Sequence, residues 1–294
     1  MSLKNHLYII GNGFDLYHGL MTSYNHFREY VKRNDSELYE LIEKYYENKD
    51  GDFWYNFEEN LARLDDFALR EYANNFLEDY SCDSWKDAYH HDYQFEIKNI
   101  IDRITEQLYQ AFVQWLGCIY VDNACRKAIV LDKDALYLSF NYTLTLEKIY
   151  NIPKVNVLHI HGIIDNEQED NLIYGHGGFS YELDKTIEDP RVYEGEEIIK
   201  DYFDKTMKPV KSIIHRYRKF FNREIVNVNR ITIIGHSMND IDYPYFKRIV
   251  NSANKNTQFT YYYYSADDII RCLNTLHYKL KIPSNQLLFF SYPN

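Results

Sequence analysis

Several short apolar runs end in residues of kinds that bind and transform small molecules. Leu7-Tyr8-Ile9-Ile10 ends in Gly11-Asn12-Gly13-Phe14-Asp15. Leu136 to Phe140 leads into Asn141-Tyr142-Thr143, and Val155 to Ile160 carries His159 and leads into His161-Gly162. Gly175-His176-Gly177-Gly178 follows the run 172–174, and Arg230 to Ile234 leads into Gly235-His236-Ser237-Met238-Asn239-Asp240. Two glycines in a strand-to-helix turn let a phosphate approach backbone amides. An imidazole such as His161 works as a general base near neutral pH. Asn141 can orient a water or a hydroxyl, and Asp15 can bind a hydroxyl or face a developing positive charge.

Each group also has a plain structural reading. Gly11 and Gly13 fit a tight turn with Asp15 as a helix cap, because the dinucleotide pattern Gly-x-Gly-x-x-Gly would need glycine where Leu16 stands. Asn141 is a good N-cap residue. His159 and His161 share a strand face, and with His176 or His236 they could chelate a metal. No carboxylate or cysteine is paired with them, so no metal is expected. Gly235-His236-Ser237-Met238-Asn239 is similar to a nucleophile elbow, with Asp267 or Asp268 and then His277 in order behind it. Its fifth position should be glycine and is Asn239. A hydrolase using Ser237 is therefore one alternative. A nucleotide sensor without catalysis and a purely structural scaffold are others.

The elements that must position these groups alternate. Apolar strands are predicted at 7–10, 136–140, 155–160, 230–234, 258–264 and 287–291, with 172–174 as one more. Helical stripes separate them: Leu144, Leu146, Ile149; then Ile241, Tyr245, Phe246, Ile249, Val250; then Ile269, Leu273, Leu276, Leu280 behind a Ser265–Asp268 capping box. Apolar strands alternating with helices imply a parallel sheet covered on both faces. The expected fold class is α/β, a three-layer Rossmann-like parallel sheet of about six or seven strands. A large helical insertion follows the first strand–helix unit. The α/β core is expected at 1–24 and 131–294, the helical insertion at 25–130, and a smaller helical insertion at 193–224. Ligands of such sheets bind beyond the carboxyl ends of the strands, where the polar groups fall.

The insertion carries three stripes: Leu38, Leu41, Ile42, Tyr45; then Phe57, Leu61, Leu64, Ala68, Tyr72; then a long one from Ile97 to Ile119. Helical spacing makes Trp54, Phe57 and Trp115 core residues rather than an interface.

Composition narrows the function classes. In 294 residues, 44 acids outnumber 33 bases, for a net charge of −11. That balance opposes direct nucleic-acid binding and an anionic membrane surface. No run reaches the length of a membrane span, and the first apolar run, interrupted by Asn12 and Asp15, is too short for a signal peptide, so none is expected. Cys82, Cys118, Cys125 and Cys272 form no Cys-x-x-Cys pair and read as buried thiols of a reducing compartment. A cytoplasmic location is expected. The 30 tyrosines demand hydrogen-bond partners for their hydroxyls, and the run Tyr261 to Tyr264 reads as strand.

Taken together, the ordered set resembles the AbiH family of phage abortive-infection proteins. The matching residues are Leu7 to Asp15 with Gly19 and Thr22-Ser23-Tyr24; Phe140 to Thr143 with Leu146-Glu147; His159 to Gly162; and Gly235 to Ser237 with Asp240. That family is similar in turn to sirtuin-like NAD-binding domains of antiphage systems. The resemblance implies phage defence, and NAD as substrate. It places Gly11, Gly13, Gly235 and Ser237 around the nucleotide, and Asn141 with His161-Gly162 beside the nicotinamide ribose. The strand ends themselves add Asn12, Phe14, Thr143, His176, His236 and Asp240 as expected nucleotide contacts, and Asp15, which has no sirtuin counterpart, at the chemistry with His161 and Asn141. The chain lacks the cysteine-ligated zinc module of sirtuin deacetylases, so the resemblance favours NAD hydrolysis over deacetylation. The partner expected is a small-molecule nucleotide. An enzyme that drains NAD must be silent at rest, so control through a homo-oligomer or the helical insertion is expected. The sequence shows no trigger.

Overall fold

A computed structural model of the chain describes residues 4–46, 53–81, 86–165, 168–169 and 172–293. The chain divides into two compact units. The first comprises residues 1–23, 116–173 and 209–294, and the second comprises 24–115 and 174–208. Residues 193–224, expected as one small insertion, are shared between them. The helix Pro190–Thr206 belongs to the second unit, and the helix Val210–Arg216 to the first.

The first unit holds a six-stranded, all-parallel sheet. Its strands, in chain order, are β1 (His6–Ile10), β2 (Leu136–Ser139), β3 (Val157–His159), β4 (Arg230–Ile234), β5 (Gln258–Tyr263) and β6 (Leu287–Ser291). They lie side by side as β3-β2-β1-β4-β5-β6. This is the doubly wound order, with its reversal between β1 and β4. Leu7 pairs with Leu136 on one side and Ile231 on the other. Residues 172–174, expected as a strand, join no strand. The Ile173 amide instead donates to the His161 carbonyl at 2.9 Å, and the Ile173 carbonyl accepts from the Tyr142 hydroxyl at 2.8 Å, so both backbone groups are used outside the sheet. A two-residue antiparallel pair, Ile164–Asp165 with Gln168–Glu169, stands apart from the sheet.

Alternation along the strands feeds two apolar layers. Leu7, Ile9, Leu138, Ile231, Ile233 and Phe259 pack with Val210, Ile213, Phe221, Phe246, Ile249 and Cys272. Tyr8, Ile10, Tyr137 and Ile234 pack with Phe14, Leu146 and Tyr150 on the opposite face. Each fully buried Ile or Phe contributes roughly 1.5–3 kcal/mol. The helix Ala266–Cys272 has the capping box predicted from Ser265 and Asp268.

The second unit is helical. Tyr24–Asn34 buries Phe27 and Val31, and Ser36–Tyr45 buries Leu38, Ile42 and Tyr45. Asp35 caps the second of these, accepting from the Leu38 amide at 3.0 Å. Asp65 caps Asp66–Ala73 in the same way, through the Ala68 amide at 2.9 Å. Such a cap contributes about 1 kcal/mol. It also restarts the helix, so the stripe expected through Ala68 and Tyr72 breaks at Leu64. The buried residues there are Leu69 and Ala73. The long stripe from Ile97 is also interrupted, by a π-helical turn at Arg103–Gln107. Phe27 meets Trp54, Phe57, Phe112 and Trp115 at ring-centroid distances of 5.1–5.5 Å. All five are buried core residues.

Tyrosine hydroxyls find partners within this unit. Tyr202 donates to the Leu61 carbonyl at 2.8 Å, so the 2.5 Å contact with Tyr46 has Tyr46 as donor. Lys208, with 1% of its side chain exposed, pairs with Glu58 at 2.5 Å.

Of the cysteines in the described residues, Cys272 is buried as expected, but Cys118 and Cys125 are exposed. Both lie in the irregular stretch before β2, where Val121 is buried and Ile129 and Leu131 pack on the apolar layer while the two thiols stay at the surface. Cys82 lies outside the described residues. No helix among the described residues is long and apolar enough to cross a membrane.

Candidate functional site

The carboxyl ends of β1, β2 and β3 deliver a buried polar cluster within the first unit. Asp15 lies one turn into the helix Asn12–Tyr17 that follows β1. It does not cap that helix. Its Oδ2 accepts from Thr143 Oγ1 at 2.5 Å, and Thr143 Oγ1 lies 3.0 Å from Thr145 Oγ1. Burial pushes the Asp15 carboxyl up to about 6. Side-chain hydrogen bonding by Thr143, Thr145 and Asn141, and the charge of His159, oppose that rise.

Asn141 does not cap a helix either. The helix after β2 is Thr145–Tyr150, and Leu144 stands at its N-cap. Asn141 is instead buried beside Asp15, with its backbone carbonyl 3.1 Å from His159 Nδ1. His159 Nε2 meets Glu147 Oε1 at 2.9 Å. The side chains of His159 and Glu147 are 10% and 8% exposed. Glu147, on the face of its helix turned to the strand ends, joins this cluster although helical periodicity gives it no mark.

His161 stands on the other side of the β2 end. Its Nε2 lies 3.3 Å from the Tyr245 hydroxyl, and its ring meets Phe140 edge-on at 5.3 Å. His236 meets the same Phe140 ring at 4.4 Å. Its Nδ1 accepts from the Met238 amide at 2.9 Å, which leaves Nε2 to carry the proton toward Asp242, 3.5 Å away. Phe140 is thus the partition shared by two histidines from different strand ends.

The glycine turns behave differently from the phosphate cradle that their spacing suggests. The Gly11 amide donates to the Ile234 carbonyl at 3.0 Å, Gly13 to Gly235 at 2.8 Å, and Phe14 to Gly11 at 2.9 Å. Those amides are spent inside the protein. A Cβ on Gly13 would fall 2.8 Å from Gly235 Cα, and one on Gly235 would fall 2.1 Å from the Phe14 amide nitrogen. The turns after β1 and β4 therefore pack backbone against backbone at the reversal of strand order. Phe14 is fully buried in the apolar layer. Asn12 is exposed at the turn and donates to the Thr22 carbonyl at 2.8 Å. Gly162, at φ 89°, ends the β3 turn.

His176 belongs to the second unit. There its Nε2 meets the Phe203 carbonyl at 3.0 Å, and burial lowers its proton affinity. Ser237 is exposed, and Asp240, also exposed, pairs with Lys279. His277 Nδ1 is held by the Ile282 carbonyl at 2.8 Å. The positive φ at this turn, 57°, belongs to Met238, not to Ser237. A nucleophile elbow strains the serine itself, so the geometry does not favour a serine hydrolase. No group of three or more His, Cys, Asp or Glu side chains among the described residues is arranged to hold a metal ion.

A family model described as bacteriophage abortive infection AbiH matches residues 7–263. The chain belongs to the AbiH family. Its role is accordingly in abortive infection, a defence against bacteriophage. The match spans the polar strand ends of β1 to β4 and the whole helical unit of this AbiH chain. No curated protein matches the sequence.

Proposed function

We propose that this AbiH protein acts in phage defence by binding NAD and hydrolysing its nicotinamide–ribose bond. The observation that carries the reading is the meeting of Asp15, Asn141 and Thr143 at the ends of two adjacent parallel strands, with His161 at the end of the third. Ligand chemistry in doubly wound sheets is found at that edge.

The bond to break joins ribose C1′ to a pyridinium nitrogen. The electron pair leaves with nicotinamide, so no general acid is required. The sugar passes through an oxocarbenium-like state. Asp15, ionised above about pH 6, stabilises that positive charge. A water adds to C1′ and gives its proton to His161, whose imidazole is steadied by Tyr245. Asn141 orients the water or a ribose hydroxyl. The products are nicotinamide and ADP-ribose. Removing a general base typically costs about 10²–10⁴-fold in rate.

The test pairs binding with turnover. NAD affinity is measured by titration calorimetry and nicotinamide release by chromatography, for the wild type, His161→Ala and Asn141→Ala. The reading expects both variants to stay folded and lose turnover, with His161→Ala still binding NAD. Turnover at the wild-type rate in both variants would refute it.

A further inference from the structure

The strand-end cluster contains three buried oxygens without a partner: Asp15 Oδ1, Asn141 Oδ1 and Glu147 Oε2. Asp15 and Asn141 are 1% and 5% exposed, and the Glu147 side chain 8%. The rest of each group is fixed. Asp15 Oδ2 holds Thr143, and Glu147 Oε1 holds His159 Nε2. His159 Nδ1 meets the Asn141 carbonyl, which ties the Glu147 branch to the Asn141 branch. The Asn141 side chain is close enough to Asp15 to favour its ionised form.

All three unpartnered atoms are acceptors. A buried acceptor without a donor is costly, so such atoms mark where donors arrive. A phosphate brings only acceptors and would repel these oxygens. A sugar brings several hydroxyl donors on adjacent carbons.

We propose that Asp15, Asn141 and Glu147 form a subsite for the vicinal hydroxyls of a ribose, with His159 as the positioning residue that aims Glu147. The proposal rests on the nucleotide reading above and adds Glu147 and His159 to the site. It also separates the roles of the turns: the oxygens at β1 and β2 read the sugar, while the amides of Gly11 and Gly13 close the sheet edge.

The experiment uses the full chain and calorimetric titration with ADP-ribose and with its analogue lacking the 2-hydroxyl of the terminal ribose. Glu147→Gln keeps an oxygen for His159 and turns the unpartnered oxygen into a donor. The wild type is expected to prefer ADP-ribose by about tenfold or more, the scale of one lost hydrogen bond to a charged group. Glu147→Gln should lose about that factor for ADP-ribose and little for the analogue, with an unchanged unfolding midpoint. Equal wild-type affinity for the two ligands, absence of ADP-ribose binding, or a preference that survives Glu147→Gln would overturn the proposal. So would saturable binding of magnesium chloride alone that Glu147→Gln abolishes, because the oxygens would then be a cation site. Sugar discrimination without nicotinamide release from NAD would retain the subsite and remove the hydrolysis reading. NAD cleavage that Glu147→Gln leaves untouched would do the reverse.

Discussion

Asp15 Oδ2 accepts a 2.5 Å hydrogen bond from Thr143 Oγ1, joining the turn after β1 to the turn after β2 across 128 residues of sequence. Burial around it raises the carboxyl's pKa, and this hydrogen bond opposes the rise.

That carboxyl makes stability depend on pH. Its folded value of about 6 lies above the usual 3.8, so between these values the folded state binds more protons than the unfolded one. Stability falls as pH rises through that window. At about 1.4 kcal/mol per pKa unit, the loss is roughly 3 kcal/mol. Asp15→Asn keeps an acceptor for Thr143 and removes the titration. Urea unfolding of both proteins at pH 4 and pH 7 should show the wild type losing stability across the interval and Asp15→Asn losing less. Parallel losses would contradict the assignment.

The same titration should show in turnover, with the opposite sign. The reaction needs the ionised carboxylate, so nicotinamide release by the wild type should rise as pH passes about 6. Asp15→Asn should be slow throughout, without that rise. A pH–rate profile of unchanged shape in Asp15→Asn would remove Asp15 from the chemistry.

Gly235 is required by space and by conformation. Its φ is 70°, and an added Cβ would fall 2.1 Å from the Phe14 nitrogen, a backbone atom that cannot step aside. Gly235→Ala should cost about 3 kcal/mol or more, in the range of a severe core clash with backbone strain. Gly19 has φ 82° with nothing within 4 Å of a Cβ. Gly19→Ala should cost only about 1 kcal/mol. Thermal unfolding midpoints of the two variants check the ordering, and equal effects would mean that the two turns do not pack as described.

Tyr245 is buried and lies 3.3 Å from His161 Nε2. Tyr245→Phe keeps the ring and removes the hydroxyl. Turnover should fall by about tenfold, the scale of one buried hydrogen bond, with the KM for NAD little changed. A fall confined to KM would make Tyr245 a binding residue instead.

The sheet was legible because its strands are short apolar runs that need burial on both faces, the first four of them stopping at glycine, asparagine or histidine. Its strand order was not legible, and the site depends on it. Asp15 and Thr143 meet only because β1 lies beside β2, a neighbour relation that no local pattern encodes. Glu147 entered only as part of the motif resemblance and with no role, because its partner His159 lies on a different strand. Gly11 and Gly13 misled in the other direction. Their spacing suits a phosphate, yet their amides meet the turn after β4, a contact set by the neighbouring strand. Asp65 shows the limit of periodicity, since its cap starts a new helix and moves the buried stripe by one residue.

The most direct measurement is a time course of nicotinamide release from NAD by the purified chain, with His161→Ala alongside. The account predicts release by the wild type that falls at least about 100-fold in His161→Ala, with NAD binding retained. Release at equal rates from both proteins, or NAD bound by the wild type and left intact, would contradict it.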